Sequence, residues 1–433
     1  MITRIEATNY RCFERLDVDL AEFGVLVGAN GAGKTTLLDI PVLLGDLLKA
    51  RNISSAFLES AEPRGPRAST LGELVYQGRG DRFAFAAETR LPETVVHALL
   101  ASASESVRQE EELWPRFIRY ELRLRVAGQR ALQVQSEYLF TFSEKHKPSR
   151  ATSSSRVPSE MTPHHSWTFV IHREAGEEFE LREEVREAGK SRRAPAKTAA
   201  VPAERLALDR VGFEEPEKYP AATWLLALLT EGAVFFEPDW NQLRTASPPG
   251  LPSQLTADGR NLPWLALRLK AEAPEQFQAW VEHVGIALPQ VTAIDAVERE
   301  EDHHAYFRVT FNDSYEVTSS GLSDGTLRIL ALTLLSYLDS PPRLLVVEEP
   351  ENGIHPRAIE VVLEGLSSMY DSQVLVSSHS PVVVANAQLK NLLAARLERD
   401  GSVTIIPGAE HPRLVDWKGG IDLGSLFAAG VLG

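Results

Sequence analysis

The chain has 433 residues, of which 43% are hydrophobic, so it is long enough for two or three domains with an ordinary apolar core, which argues against a wholly disordered protein. Its formal net charge of −15 argues against a protein that coats nucleic acid by bulk electrostatics, so any contact with DNA must be local. The longest apolar runs carry a charge or fall short of the ~18 to 20 residues of a membrane helix, and the single cysteine, Cys12, fits a reducing compartment. We therefore expect a cytoplasmic protein without a membrane span.

The predicted elements change in character along the chain. In about the first ninety residues, short strands surround a glycine-rich loop that leads into a helix. A middle region of strands, Ser/Pro/Ala-rich loops and helices follows, and two further strands precede a compact block of motifs. The predicted strands cover residues 2–10, 14–21, 23–28, 82–91, 118–126, 166–174, 291–300 and 305–313, and the predicted helical segments cover residues 222–232 and 262–285.

The glycine-rich loop is a nucleotide-phosphate motif. Residues 28–35 match the pattern G-x-x-x-x-G-K-[ST] completely and lie between an apolar strand and a helix. The amide groups of the loop and the helix N-terminus face negative charge, Lys34 is expected to reach the outer phosphates, and Thr35 offers a hydroxyl to magnesium. The predicted nucleotide-binding residues are Asn30, Gly31, Ala32, Gly33, Lys34, Thr35 and Thr36.

A second motif is an apolar run that ends in acid. Residues 344–347 are continuously apolar, which is typical of a strand buried on both faces of a parallel sheet. Glu348, at the strand end, is expected to hold magnesium together with Thr35, and Glu349 to accept a proton from a water that attacks the terminal phosphate. A salt-bridged surface pair is the alternative, but two adjacent carboxylates at the end of a sheet are costly without a cation.

Two further elements flank the acidic run. Residues 373–378 predict another apolar strand, which ends at His379. If this strand is parallel to the others, His379 emerges at the same carboxyl edge as the phosphate loop, which favours a catalytic role in sensing phosphate. Ser323 is a good N-cap for an apolar helix, and the N-terminus of this helix is expected to form a second anion site with Ser323 and Gly325.

The order of these motifs resembles the ABC-type ATPase head. Four segments narrow the resemblance to the RecF-like ATPases related to the overcoming-lysogenization-defect (OLD) family, within the SMC/RecF superfamily: residues 8–20, 322–328, 348–356 and 377–381. The resemblance covers about the first ninety residues and the last hundred and fifty. It implies an α/β P-loop NTPase fold with a mixed sheet and an α+β insertion between two lobes.

The resemblance also implies a domain organisation and an assembly. We expect an N-lobe over residues 1–93, an insertion over 94–287, a C-lobe over 288–390 and a C-terminal tail over 391–433. Two copies are expected to face each other, with Ser323, Asp324 and Gly325 of one copy completing the ATP site of the other. ATP and Mg²⁺ would then hold together a homodimer or higher homo-oligomer.

Several positions depart from the wider ABC pattern or have no settled role. Asp324 and Thr326 replace the glycine and glutamine common in transporter signatures, and Glu348 stands where aspartate is usual, as in the RecF-like branch. Gln77 is a candidate for the glutamine that senses the metal in the wider family. Arg11 is expected to touch either phosphate or the neighbouring subunit.

The resemblance favours an ATP-hydrolysing dimeric switch in DNA surveillance, as the ATPase subunit of a bacterial anti-phage or toxin-partner system. Relatives often carry a fused TOPRIM nuclease, for which the residues after the last motif leave no room, so a separate nuclease or toxin is the expected effector. The alternatives are a RecF-like DNA repair mediator and, with less support, the nucleotide-binding subunit of a transporter.

Two basic segments are candidates for contact with DNA, although a solvated loop that needs charge is the favoured explanation of each. Both lie in aperiodic sequence rich in Ser, Pro and Ala. The first covers residues 145–156, with Lys145, Lys147 and Arg150, and the second covers residues 190–197, with Lys190, Arg192, Arg193 and Lys197.

Overall fold

Three β-sheets and the helices packed on them form the part of the chain that the structure describes. The structure is a computed structural model that describes residues 1–60, 63–128, 130–148, 164–185, 196–211, 215–312, 315–414, 417, 420 and 422–432. The strands are β1 (Ile2–Tyr10), β2 (Phe13–Asp19), β3 (Phe23–Gly28), β4 (Arg82–Arg90), β5 (Phe117–Ala127), β6 (Ala131–Phe142), β7 (Thr168–Arg173), β8 (Glu178–Leu181), β9 (Lys197–Ala200), β10 (Ala233–Phe236), β11 (Val291–Glu298), β12 (Ala305–Phe311), β13 (Tyr315–Thr318), β14 (Leu344–Glu348), β15 (Gln373–Ser378), β16 (Leu392–Leu397) and β17 (Val403–Pro407). The helices are α1 (Lys34–Lys49), α2 (Ser55–Leu58), α3 (Glu93–Leu100), α4 (Glu105–Gln109), α5 (Pro220–Thr230), α6 (Trp240–Arg244), α7 (Leu262–Glu272), α8 (Pro274–Ala287), α9 (Asp324–Leu334), α10 (Pro356–Ser367), α11 (Pro381–Asn386) and α12 (Leu423–Ala428).

The central sheet has the strand order β10-β14-β15-β3-β16-β17, in which β17 is antiparallel to its neighbour and the others are parallel. Its apolar strands are covered on both faces. Leu344 and Val346 of β14 pack into one core with α1 and α5, whereas Leu345 and Val347 pack into a second core with α9 and α10. The sheet draws strands from each of the four segments that the sequence predicts as separate parts.

The second sheet is antiparallel and has the order β2-β1-β4-β5-β6-β7-β8-β9. Its inner face completes the first core with an aromatic group of Tyr10, Phe83 and Phe85. On its other face the fully buried Arg119 of β5 donates hydrogen bonds to the carboxylates of Glu121 in its own strand and of Glu6 and Glu88 in β1 and β4. The small third sheet, β11-β12-β13, packs against α7 and α8 in the second core.

The helical segment predicted over residues 262–285 forms two helices rather than one. The break falls at Ala273, whose φ of −138° and ψ of 67° lie outside the helical region. Pro274 is the cause, because a proline ring disfavours the helical conformation of the residue before it and is well placed at the start of a new helix.

Gln373 joins the central sheet to the antiparallel sheet. This buried side chain accepts a hydrogen bond from the amide of Ile2 (2.9 Å) and donates to the carbonyl oxygens of Ile2 (2.7 Å) and Ala21 (3.0 Å). These hydrogen bonds fix β1 to the start of β15, and because the groups are buried, water cannot take the place of either partner.

We expect Gln373→Met to lower the free energy of unfolding by about 2 to 4 kcal/mol, because methionine keeps the volume but leaves the amide and carbonyl groups of Ile2 buried and unpaired. Urea denaturation measures the change. Gln276→Met, on the exposed face of α8, is the matched control and is expected to stay within about 0.5 kcal/mol of the wild type. Equal stability of the two variants would contradict the role of Gln373.

Candidate nucleotide-binding site

The phosphate loop connects β3 to α1 at the carboxyl edge of the central sheet. Gly31 and Gly33 have φ values of +80° and +77°, the left-handed region that favours glycine. A side chain at position 33 would also meet the sulfur of Cys12, since its Cβ would lie 2.8 Å from Sγ. Asn30, Gly31 and Thr35 are exposed, so the loop is open to a ligand.

Lys34 lies across this loop. Its Nζ donates hydrogen bonds to the carbonyl oxygens of Gly28 (2.8 Å) and Ala29 (3.1 Å). Burial lowers the pKa of Lys34 from its usual value, and the carboxylates of Glu349, Glu348 and Glu351 act in the opposite direction. The ammonium group is therefore held inside the loop, where phosphate oxygens can replace the carbonyl partners.

The acidic strand ends beside the loop. The hydroxyl of Thr35 donates a hydrogen bond to the carboxylate of Glu348, the last residue of β14. Burial raises the pKa of Glu348, and the hydrogen bond from Thr35 partly opposes that shift. These two oxygen donors suit Mg²⁺, which is usually held by one or two protein oxygens together with substrate phosphates and water. Within the described residues, no group of three or more metal-binding side chains offers an all-protein site.

Glu349 turns away from the strand toward the histidine. Its φ of +46° is in the left-handed region, and its amide donates to the carbonyl of Ser377 at 2.9 Å. One carboxylate oxygen accepts from Asn352 Nδ2 at 2.9 Å, and the other lies 3.1 Å from Nδ1 of His379. The parallel pairing of β14 and β15, which places Glu348 opposite Ser377, brings the two residues together.

Sequence reasoning missed Glu351, the third acid of the same motif. Its buried carboxylate accepts hydrogen bonds from the hydroxyl of Ser378 (2.5 Å) and the amide of His379 (3.4 Å). Glu351 therefore fixes the end of β15 and the backbone of the histidine. The sequence signal that could have indicated Glu351 is its position two residues after Glu349, within the same acidic motif.

Arg64 was also missed, because it lies in a segment without a motif. Its guanidinium pairs with Asp39 of α1 (2.5 Å) and lies over the ring of Phe235, with Cζ 3.8 Å from the centroid. Its charge also opposes the rise in the pKa of Glu348. A cation is therefore built into the surroundings of the acidic strand end.

Residues 322–328, which the sequence predicts as the signature segment of an ABC-type head, include the start of α9. Ser323 caps this helix by accepting a hydrogen bond from the amide of Thr326 at 3.2 Å. Position 325 requires glycine, because a Cβ there would lie 2.8 Å from the carbonyl oxygen of Gly353. In the part of the chain that the structure describes, no hydrogen bond or ion pair joins residues 323–325 to residues 28–36 of the same chain.

Arg11 contacts the loop that follows α2, and Gln77 lies further along the same connection, before β4. Gln77 donates a hydrogen bond to the hydroxyl of Tyr76 (2.9 Å), and the guanidinium of Arg11 donates to the carbonyl of Arg67. Within the described residues, Gln77 makes no hydrogen bond to Glu348 or Glu349. The roles of both residues stay predictions.

The basic segments are only partly described. Lys147 pairs with Glu144 at 2.5 Å, and Lys197 lies 3.5 Å from Glu215. These lysines have acidic neighbours, which lowers their value as a DNA-binding surface. Nζ of Lys145 lies 3.9 Å from Oε2 of Glu112. The other basic residues of the two segments lie outside the described residues: Arg150, Lys190, Arg192 and Arg193.

We expect Lys34→Ala to weaken ATP binding by about 3 kcal/mol, roughly a hundredfold in Kd, because the charged partner of the phosphates is removed from a half-enclosed loop. Titration with a fluorescent ATP analogue measures the loss. Lys49→Ala, at the other end of α1, is the matched control and should bind like the wild type. Unchanged binding by Lys34→Ala would contradict the assignment of the loop.

The fold and the site together define an ABC-type ATPase head of the P-loop NTPase class. A phosphate loop, two carboxylates and a histidine lie at one edge of a largely parallel sheet, and a capped signature helix and an antiparallel sheet accompany it. The crystal structure of an Smc head bound to the C-winged helix domain of ScpA has this fold, with a TM-score of 0.52, 13% identity and coverage of 94% of this chain and 96% of that one. An Smc head from Pyrococcus furiosus, also bound to a domain of ScpA, aligns at 12% identity over 94% and 95% of the two chains with a TM-score of 0.49.

The chain belongs to the family described as AAA domain, putative AbiEii toxin, Type IV TA system, whose model matches residues 23–385. An OLD nuclease of Thermus scotoductus (strain ATCC 700910 / SA-01) is 46% identical over 48 residues, which are 11% of this chain and 9% of that protein. The chain thus carries an AAA-type ATPase domain with the fold of an SMC head, and its match to the OLD nuclease spans less than a tenth of that curated relative. None of the described helices is long and apolar enough to cross a membrane.

Proposed function

We propose that the chain is an ATP-hydrolysing switch that closes into a dimer through two composite ATP sites. The observation that carries the proposal is the pair Glu349 and His379, held 3.1 Å apart at the strand ends beside the phosphate loop. A carboxylate in this position can accept a proton from water, and an imidazole beside it can orient the same water or contact the terminal phosphate.

The residues divide the chemistry among them. Lys34 and the loop amides bind the phosphates, and Thr35 with Glu348 would hold Mg²⁺, which supplies charge neutralisation when bound. Glu349 takes the proton from the attacking water. Its carboxylate is oriented by Asn352 and His379, so the proton acceptor has a fixed direction.

The dimer is inferred from the signature helix. The N-terminus of α9 is a site for anions, because its amide groups and the helix dipole face outward at Ser323. Residues 323–325 make no hydrogen bond to the phosphate loop of their own chain within the described residues. The phosphates of ATP bound to a second copy are the natural anion.

The biological role we propose is control of a separate effector, a nuclease or a toxin, in bacterial defence against phage. Its support is the family description, which names a putative toxin of a toxin–antitoxin system, and the short match to an OLD nuclease. Direct binding of DNA by the basic segments has less support, because Lys147 and Lys197 are paired with glutamates.

The solution mass of Glu349→Gln, measured by light scattering with and without Mg-ATP, tests the proposal. ATP is expected to raise the mass to that of a dimer, because binding is kept while hydrolysis is blocked. The Lys34→Ala/Glu349→Gln double variant should stay at the mass of the free chain. A mass that ignores ATP, whether of a monomer or of a fixed oligomer, would overturn an ATP-closed dimer.

A further inference from the structure

Asp324 presents an electrostatic problem at the signature segment. It is the first residue of α9, immediately after Ser323, and its side chain is 65% exposed. A carboxylate favours its own helix N-terminus, but it opposes a second anion that arrives at the same place. In the proposed dimer that anion is a triphosphate, so the acid must be compensated.

Arg244 supplies the compensating charge. Its Nη2 lies 2.5 Å from Oδ1 of Asp324, and its Nη1 donates a hydrogen bond to the carbonyl oxygen of Leu322. One guanidinium therefore neutralises the acid and also fixes the backbone just before Ser323. The two contacts lie on either side of the serine that caps the helix.

The short helix α6 holds Arg244 in place. Asp239 caps α6 by accepting from the amides of Asn241 (2.9 Å) and Gln242 (3.2 Å). At the same end of the helix, the ring of Trp240 lies 4.3 Å from the guanidinium carbon of Arg328, one turn further along α9. The first and the last residue of α6 thus both contact the signature segment, Trp240 at Arg328 and Arg244 at Asp324.

The position of α6 also links it to the nucleotide site of its own chain. It follows β10, which pairs in parallel with β14 and places Phe236 opposite Val347, one residue before Glu348. Glu237, between β10 and α6, lies 3.5 Å from Arg64. Arg244 therefore lies on a helix that follows β10, the strand that pairs with the acidic strand β14.

We propose that Arg244 is a positioning residue that makes the acidic signature compatible with the triphosphate bound to a second copy of the chain. It acts through Asp324, whose charge it neutralises, and through the carbonyl of Leu322, which sets the turn at Ser323. The inference rests on the proposed dimer, in which residues 323–325 face the partner's phosphates. As the dimer closes and excludes water, the Asp324 carboxylate of a chain without Arg244 would lose its ion-pair partner and keep only the through-space influence of the Arg328 charge, so it would oppose the phosphates more strongly.

The test measures ATP-dependent assembly in the Glu349→Gln background by light scattering across a range of protein concentrations. Adding Arg244→Ala is expected to raise the concentration for half-assembly by about tenfold or more, within the range typical of coupling between two sites. Adding Asp324→Asn to that variant should restore most of the loss, because no carboxylate then needs a partner. Arg299→Ala, which breaks an exposed pair with Asp302, is the matched control and should assemble like the parent.

Further readouts separate charge from structure. Arg244→Gln can still donate a hydrogen bond to Leu322 but carries no charge, so it should also weaken assembly. Thermal melting shows whether each variant folds, and fluorescent ATP analogue binding to dilute protein should be unchanged, because Arg244 lies outside the phosphate loop of its own chain. These measurements keep the test valid if one variant folds poorly.

The outcomes are distinct. Normal assembly of the Arg244→Ala variant would overturn the inference and leave the dimer intact. Weak assembly that Asp324→Asn does not rescue would overturn the charge argument. If the Glu349→Gln parent itself fails to assemble with Mg-ATP, the proposed dimer fails, and the inference fails with it.

Discussion

Glu349→Gln is expected to bind ATP with the affinity of the wild type and to hydrolyse it at least about a hundredfold more slowly. Glutamine keeps the size of the side chain and the hydrogen bond from Asn352, but it cannot accept a proton from the attacking water. The phosphate-binding groups, Lys34 and the loop amides, are untouched. Phosphate release measures hydrolysis, and a fluorescent ATP analogue measures binding.

The neighbouring acids serve as comparisons for this substitution. Glu360→Gln, on the exposed face of α10, is the control and should hydrolyse ATP like the wild type. Glu348→Gln should act differently from Glu349→Gln, because it removes the proposed ligand of Mg²⁺ and should therefore weaken Mg-dependent binding. If Glu349→Gln lost binding and hydrolysis equally, its carboxylate would be part of the binding site rather than the proton acceptor.

Motifs with a local mechanism are what the sequence could predict. The phosphate loop needs glycines at left-handed positions and a lysine at the start of a helix. Both requirements are met within one short stretch of sequence, so the pattern can be recognised without the fold. The apolar run before Glu348 indicates a strand buried in a parallel sheet, and β14 is such a strand. Because parallel strands end at one edge, the proximity of Glu349 and His379 followed from the two runs alone.

Contacts made by residues that lie outside the motifs and far away along the chain could not be predicted. Arg244 and Asp324 are 80 positions apart, and nothing in the spacing of either residue indicates their ion pair. Arg64 acts on Glu348 through its charge, and its guanidinium is held by Phe235 and Asp39, neither of which belongs to a motif that the sequence indicates. The short strand β10, which the sequence does not signal, joins the edge of the central sheet through pairing that depends on the whole fold.

Mixing Lys34→Ala chains with Ser323→Arg chains is expected to restore ATP hydrolysis that neither variant has alone. Each proposed site takes its phosphate loop and acids from one chain and its signature from the other. In a mixed dimer, the loop of the Ser323→Arg chain faces the intact signature of the Lys34→Ala chain, so one of the two sites is complete. Random pairing should therefore recover roughly a quarter of the wild-type rate if the sites act independently.

A second mixture makes the result decisive. Lys34→Ala and Glu349→Gln damage the same half of a composite site, so a mixed dimer of these two variants has no complete site and should stay inactive. Ser323→Arg also removes a helix cap, which costs about 1 kcal/mol, and thermal melting shows whether that variant remains folded. Had Ser323 served the ATP of its own chain, neither mixture would regain activity, because each chain would keep its own damaged site. Recovery in the first mixture alone therefore requires the signature to act across the dimer.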